Sequence, residues 1–313
     1  MSRILVTGAA GFLGSRLCFI LLQKGHHVIG IDNFFTGTKD NLQASFSFPY
    51  FSFIEHDILN PIFLDGVVDQ VYHLACPASP IHYQKNPIYT LETSILGTLN
   101  VLRFAKEKKS VFLLASTSEV YGDPQEHPQS ENYFGYVNPI GPRSCYDEGK
   151  RAAETLTMDF YRQHDLSIRI VRIFNTYGPG MALNDGRVMS NLIIQSLKGH
   201  PLTLYGKGSQ TRSFCFLDDL INGIMLIMNH HDIGPINLGN PEEYSMLEVA
   251  RKIQEITSTH SQLSFHPLPD DDPKKRRPNI SKAIALGFKL NTSLDEGLKL
   301  TITFFKEKLG LFN

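Results

Sequence analysis

The chain has 313 residues, enough to bury one large core or a main domain with a smaller partner. Its 30 Lys plus Arg offset 31 Asp plus Glu, so there is no basic field to draw nucleic acid or an anionic membrane surface, and a small anionic ligand has to be held by a few placed residues. Cys18, Cys76, Cys145 and Cys215 are scattered and form no CxxC, which disfavours a metal centre or a disulfide framework and fits reduced thiols in a cytoplasm. No apolar run approaches the roughly 18 residues of a membrane span. The apolar start reads as a strand without the flanks or cleavage site of a signal peptide, so a soluble, unexported, cytoplasmic protein is expected, with no membrane and no nucleic-acid partner.

Along the first half, short β-branched runs alternate with amphipathic stretches, the pattern of βαβ units and a parallel sheet. In chain order the reading is strand 3–7, helix 12–24, strands 27–31, 51–55 and 70–74, helix 87–108, strand 111–115, helix 146–164 and strand 168–172. The two long helices fit a dimer's contribution to a four-helix bundle or plain sheet-covering helices equally well. Beyond about residue 175 the elements shorten and are broken at Tyr177-Gly178-Pro179 and Tyr205-Gly206-Lys207-Gly208, and a charged run follows at 270–277. The expected fold is a Rossmann-like, doubly wound parallel sheet over 1–175 with a smaller α/β substrate-binding domain over 176–313, the segments free to interleave. There is no internal repeat.

Thr7-Gly8-Ala9-Ala10-Gly11-Phe12-Leu13-Gly14 closes the first predicted strand and opens the first predicted helix, the context that makes a glycine pattern informative. Gly8, Gly11 and Gly14 permit a tight turn and let backbone approach a pyrophosphate, whose charge meets free amides at the helix start. Without that context the pattern is an ordinary strand-to-helix turn. Asp32 ends the second strand, where a carboxylate accepts from an adenosine ribose and repels a 2′-phosphate, so NAD is expected over NADP. Asn33, Phe34, Thr36 and Gly37 follow at once, and Asp57-Ile58 closes the next strand, where such folds commonly meet the adenine end.

Tyr146 and Lys150, in Tyr146-Asp147-Glu148-Gly149-Lys150, fall one helical turn apart on one face. A nearby ammonium and a positive nicotinamide favour the phenolate, giving a base that takes a sugar hydroxyl proton as hydride leaves. Alone, this YxxxK pair is better read as two side chains on a surface helix. Support comes from Thr117-Ser118-Glu119 at the end of the fifth predicted strand, since ligands sit at strand C-termini in open α/β sheets. There Thr117 can hydrogen-bond the reacting hydroxyl and Glu119 can manage a second proton, although Ser and Thr also cap turns.

Several longer segments carry a resemblance: His73 to Pro80, Ser116 to Pro124, Asn138 to Arg151, Ile173 to Pro179, Asn184-Asp185-Gly186-Arg187-Val188, Gln210-Thr211-Arg212-Ser213-Phe214, Asn237 to Pro241 and Asp271-Asp272-Pro273-Lys274-Lys275-Arg276. Together they resemble UDP-glucuronate decarboxylases of the extended short-chain dehydrogenase/reductase family, from residue 3 to near the C-terminus. The resemblance implies that Tyr146, assisted by Thr117 and Lys150, deprotonates the C4 hydroxyl of UDP-glucuronate while hydride passes to NAD. Carbon dioxide then leaves the β-keto acid, and reduction at C4 gives UDP-xylose. It further implies cofactor contacts at Leu74, Ala75, Thr93, Ala115 and Thr176, and a homodimer. Substrate contacts are implied at Glu119, with Asn175, Arg187 and Arg212 on the diphosphate and sugar, Tyr205 on the uracil and Arg276 arriving from the late loop. Related sugar 4,6-dehydratases carry an Asp-Glu pair where this chain has Ser118-Glu119, and serine is a poor acid for expelling a hydroxyl.

The chain also departs from that pattern. Glu92 stands where lysine is expected, near the substrate carboxylate or the cofactor, and Gly180, Ala182, Phe134 and Asn279 replace an arginine, a bulkier polar residue, a tryptophan and an aspartate. The alternatives are a UDP-glucuronate 4-epimerase or another UDP-hexuronate enzyme and, from a different class, a non-catalytic NAD-bound scaffold.

Overall fold

The Arg3–Thr7 strand (β1) is aliphatic on both faces, and Ile4, Leu5 and Val6 are fully buried, as a central parallel strand sandwiched between helices requires. The structure is a computed structural model that describes residues 1–267 and 275–311, so most of the charged run read at 270–277, with its Asp271 to Lys274 motif, lies outside the described residues. After β1 come α1 (Phe12–Gln23), β2 (His27–Asp32), β3 (Phe51–Glu55), β4 (Gln70–His73), α2 (Pro80–Lys85) and α3 (Pro87–Glu92). A π-helical turn, Thr93–Gly97, leads into α4 (Thr98–Lys108), then β5 (Val111–Thr117), a 3₁₀ turn at Ser118–Tyr121, α5 (Ser144–His164) and β6 (Ile168–Ile173).

The second half adds β7 (Thr176–Tyr177), α6 (Val188–Leu197), β8 (Leu202–Tyr205), β9 (Thr211–Ser213), β10 (Cys215–Phe216) and α7 (Leu217–Met228). It ends with β11 (Ile236–Leu238), β12 (Glu243–Ser245), α8 (Met246–Thr257), β13 (Leu263–His266), α9 (Ser281–Ala285) and α10 (Leu294–Lys308).

Among the described residues, seven parallel strands form one sheet in the order β11-β6-β5-β4-β1-β2-β3. The chain winds outward from β1 to β3, crosses back to β4 and winds the other way, which opens a crevice at the C-terminal ends of β1 and β4. One apolar layer packs α1 and α7 on the sheet through Leu17, Leu21, Leu220 and Ile224; the opposite layer packs α4 and α5 through Val101, Leu102, Phe104 and Ala153. A separate core of Leu192, Leu204, Val249, Ile253, Leu298 and Phe305 gathers α6, α8 and α10 into a smaller unit. The expected doubly wound sheet is therefore present. α7 and β11, from the second half of the chain, cover and extend the large sheet.

The helix expected at 87–108 is divided. Thr93 and Ser94 turn their hydroxyls back onto the Tyr89 and Thr90 carbonyls, at 2.7 and 2.9 Å, competing with the helix's own amides where it widens into the π turn. Strand β5 also runs two residues beyond its expected end, to Thr117, which brings the polar Thr117-Ser118-Glu119 step to the crevice.

Candidate active site

The crevice is a cleft of about 650 Å³ between the strand ends and the smaller unit. Gly8, Gly11, Phe12, Leu13 and Gly14 line it at the β1–α1 turn. Gly8 has φ +72° and its missing Cβ would lie 2.8 Å from the Ala75 amide nitrogen, so only glycine makes this turn against the next strand. A Cβ on Gly11 would meet the Gly8 carbonyl at 3.2 Å and otherwise project into the cleft, and α1 starts there without an acidic residue in its first turn. Its free amides and positive dipole end suit a pyrophosphate.

Asp32 lines the cleft beyond β2 and accepts from the amides of Ala10 (2.9 Å) and Phe34 (2.8 Å), which leaves further lone pairs for ribose hydroxyls. Asn33, Thr36, Asp57, Ile58, Leu74, Ala75, Thr93, Ala115 and Thr176 also line the cleft. Phe34 and Gly37 do not. The Phe34 side chain turns onto Phe53 at 5.1 Å, leaving its backbone amide to fix Asp32, while Gly37 is pressed behind the glycine turn, where a Cβ would strike the Ala10 carbonyl carbon at 2.7 Å. Glu92 is exposed on α3 and is not among the residues lining the cleft.

Thr117, Ser118, Glu119, Tyr146 and Lys150 converge where β5 ends and α5 begins, all of them buried. Lys150 donates a hydrogen bond from its ammonium to the Ala115 carbonyl at 3.0 Å and stands 6.0 Å from the centre of the Tyr146 ring. Burial pushes the Tyr146 phenol up, the neighbouring Cys76 thiol adds to this, and the hydrogen bond from Thr117 and the charge of Arg187 oppose it without prevailing. The Lys150 ammonium donates to the strand carbonyl and burial prevails at the phenol, so the positive charge of a nicotinamide, expected to act together with Lys150, is needed to draw the proton off. His73, buried beneath the site between Thr7 Oγ1 (2.8 Å) and Thr98 Oγ1 (3.0 Å), is lowered to about 3 by burial and by Lys150 and is a neutral structural group.

Glu119 is clamped. Arg276 holds both of its oxygens, at 2.6 and 2.9 Å, and Arg143 from the start of α5 adds a bond at 2.5 Å. Burial alone would raise its carboxyl, but Arg276 and Arg143 more than offset it, so Glu119 sits below its ordinary value and stays ionised. Asp147 lies 4.0 Å from Arg143 in the same cluster and takes the opposite state, its carboxyl pushed up to about 8 by burial and by the charge of Glu119. Of two acids sharing two arginines, one takes the charge and the other the proton.

Asn175, Arg187, Tyr205, Arg212 and Arg276 line the far half of the cleft. Asn175 Oδ1 accepts from Arg276 at 3.3 Å, Arg187 caps α6 beside Asp185 at 3.4 Å, and Arg212 is presented by the β9–β12 pair. Tyr205 sits at the rim, 42% exposed. Sequence reasoning missed Arg143, Asp147 and Tyr83. Arg143 precedes Tyr146 by one turn, so helical spacing alone could have placed it at the site. Tyr83 stacks on the Tyr146 ring at 5.2 Å with 4° between planes, and its buried hydroxyl has no partner among the described residues; only tertiary structure brings it there.

A doubly wound sheet with a glycine turn at β1, an acid ending β2 and a Tyr-Lys pair at the end of β5 defines the nicotinamide-dinucleotide enzymes that work on a hydroxyl or carbonyl. The chain belongs to the NAD dependent epimerase/dehydratase family, whose model matches residues 4–239, and its cofactor is NAD. It is 54% identical over 308 residues to UDP-glucuronic acid decarboxylase 2 of Arabidopsis thaliana, covering 98% of this chain and 69% of that one. It is 52% identical over 311 residues to decarboxylase 6 of the same plant (99% and 90%) and 51% identical to UDP-glucuronic acid decarboxylase 1 of Danio rerio (98% and 73%). Among solved structures, UDP-glucuronic acid 4-epimerase from Bacillus cereus, in complex with UDP-glucuronic acid and NAD, superposes with a TM-score of 0.87 at 32% identity over 98% of this chain and 99% of that one.

Asp147 holds its proton more tightly folded than unfolded. Its stabilising contribution is therefore complete below the ordinary carboxylate value of 3.8 and is lost as pH rises through about 8. Melting Asp147→Asn beside the parent protein between pH 5 and 8 is expected to show the difference in Tm moving in the variant's favour as pH rises. A flat difference, or one of opposite slope, contradicts a protonated Asp147.

Proposed function

We propose that the protein converts UDP-glucuronate and a proton to UDP-xylose and carbon dioxide. The observation that carries this is the convergence of Tyr146, Thr117 and the ionised Glu119 on one cleft wall, in a chain more than half identical to decarboxylases over nearly its whole length. NAD, when bound, takes hydride from C4 of the sugar and later returns it. Tyr146 removes the C4 hydroxyl proton, with Thr117 as its hydrogen-bonding partner and Lys150 fixing the helix face to the Ala115 carbonyl. With a ketone at C4, the C5–C6 bond breaks and its electron pair moves onto the C4 oxygen, where the protonated Tyr146 stabilises the enolate. Glu119, held ionised by Arg276 and Arg143, has no proton to give, which corrects the expectation that it manages the second proton; the proton that replaces carbon dioxide at C5 comes from solvent. Ser118 leaves no acid to expel a C6 hydroxyl, and none is needed. Arg187, Arg212 and Arg276, with Asn175, hold the diphosphate and sugar, since a guanidinium donates two parallel bonds to such oxygens, and Tyr205 meets the uracil at the rim.

The protein should act as a homodimer. Ile88, Leu91 and Leu96 are exposed on α3 and the π turn, alongside α5, and a second copy would cover them in a four-helix bundle. Sedimentation should give twice 35.2 kDa for the parent and a lighter species for Leu96→Arg. Four free cysteines favour a reducing, cytoplasmic setting.

Incubated with UDP-glucuronate and a trace of NAD, the purified protein should yield UDP-xylose by mass and NMR. UDP-galacturonate with its mass unchanged would instead indicate a 4-epimerase. Tyr146→Phe should lower kcat by roughly 10²–10⁴-fold, the usual worth of a general acid–base group; a variant that kept full turnover would contradict the assignment.

A further inference from the structure

At the end of the cleft remote from Tyr146, a hydrogen-bonded triangle joins three separate segments. Tyr89 on α3 donates its hydroxyl to Asp57 Oδ2 at 2.7 Å, and the Asn33 amide donates to that same oxygen at 2.9 Å and to the Tyr89 hydroxyl at 2.6 Å. Asn33 Oδ1 in turn accepts from the Phe35 amide at 3.0 Å, and the Phe35 ring lies 4.8 Å from that of Tyr89. Asn33, Phe35, Asp57 and Tyr89 all line the cleft.

A carboxylate has about four acceptor positions. Asp57 uses three: Oδ2 takes Tyr89 and Asn33, and Oδ1 takes the Leu59 amide at 2.9 Å. One lone pair on Oδ1 is left, on a side chain that can no longer rotate. Burial raises the Asp57 carboxyl, but the donors from Leu59, Tyr89 and Asn33 more than offset this, so the group stays an ionised acceptor. The ring pair is already in contact, so a planar base cannot enter between Tyr89 and Phe35. It can only lie against them, with its edge toward Asp57.

We propose that Tyr89 is a positioning residue for the adenine of NAD: it holds Asp57 so that its remaining acceptor meets the 6-amino group, and with Phe35 it walls that end of the cleft. The inference rests on NAD as cofactor and not on which sugar nucleotide is turned over. It gives Asp57 a partner on α3, so adenine recognition depends on the α3–π-turn segment that also brings Thr93 to the cofactor.

The test is calorimetric titration with NAD and with nicotinamide hypoxanthine dinucleotide, in which a 6-oxo group replaces the 6-amino donor. The parent protein should bind NAD more tightly than the analogue. Tyr89→Phe, which removes one hydroxyl and lets Asp57 turn from its position, should weaken NAD by up to about tenfold, the worth of the Asp57–amino hydrogen bond it aligns, and leave the analogue nearly unchanged, so that the preference largely disappears. Equal weakening of both ligands would reduce Tyr89 to a structural tether and overturn the proposal, as would no change in either. Asp57→Ala removes both acceptor oxygens and tests the acceptor separately: it should erase the same preference, and a variant that retained it would equally overturn the proposal. Failure of the parent to bind NAD at all would count against the cofactor, a different result from either.

Discussion

Glu119 is a buried carboxylate that remains charged, and the geometry of the active site follows from that. An ion removed from water is tolerated only when its partners are close and well aligned, and Arg276 and Arg143 meet that condition from opposite sides. Arg276 arrives from the late loop, Arg143 from the first turn of α5, and Glu119 from the turn ending β5. One carboxylate thereby fixes three distant segments in register, and Tyr146 and Thr117 stand on two of them. Removing either arginine would leave an under-compensated buried charge, at a cost of about 3–5 kcal/mol for a broken buried pair.

A second, partly buried ion pair ties α5 to the sheet. Glu154 on α5 takes both prongs of Arg172 on β6, at 2.9 and 2.7 Å, and accepts from Ser116 on β5 at 2.6 Å. This ties α5 to the two strands beneath it, so the Tyr146–Lys150 face cannot shift relative to the strand ends. Tyr146 is consequently held by packing and ion pairs, while Lys150 donates a hydrogen bond to the Ala115 carbonyl. That division of labour explains why burial keeps the phenol neutral until a positive ring lies beside it.

Arg3–Thr7 was legible because it is a central strand and reads as an aliphatic run between turn residues, and Phe51–Glu55, an edge strand of alternating Phe and polar residues, also matches its expected bounds, whereas the three-residue β11 at the other edge was not read from the sequence. The smaller unit was not resolved into elements, although Ser245 with Glu248 and Ser293 with Glu296 form capping boxes that announce α8 and α10. The residues lining the cleft were legible where backbone dictates them, as at Gly8 and Asp32. Phe34 and Gly37 stood in the right loop but point elsewhere, because direction depends on Phe53 and Ala10, which only the folded chain brings near. Tyr83 and Tyr89 escaped notice for the same reason, since each matters through a partner distant in sequence, whereas Arg143 could have been placed by its helical spacing from Tyr146.

The central claim is that the cleft completes an internal redox cycle, oxidising and then re-reducing the same carbon around a decarboxylation. The direct measurement uses UDP-glucuronate carrying deuterium at C4, turned over with less NAD than substrate. If the account holds, many turnovers occur per cofactor, the product is UDP-xylose, and the deuterium is back at C4. Loss of the label from C4, or NADH accumulating in step with carbon dioxide, would contradict it.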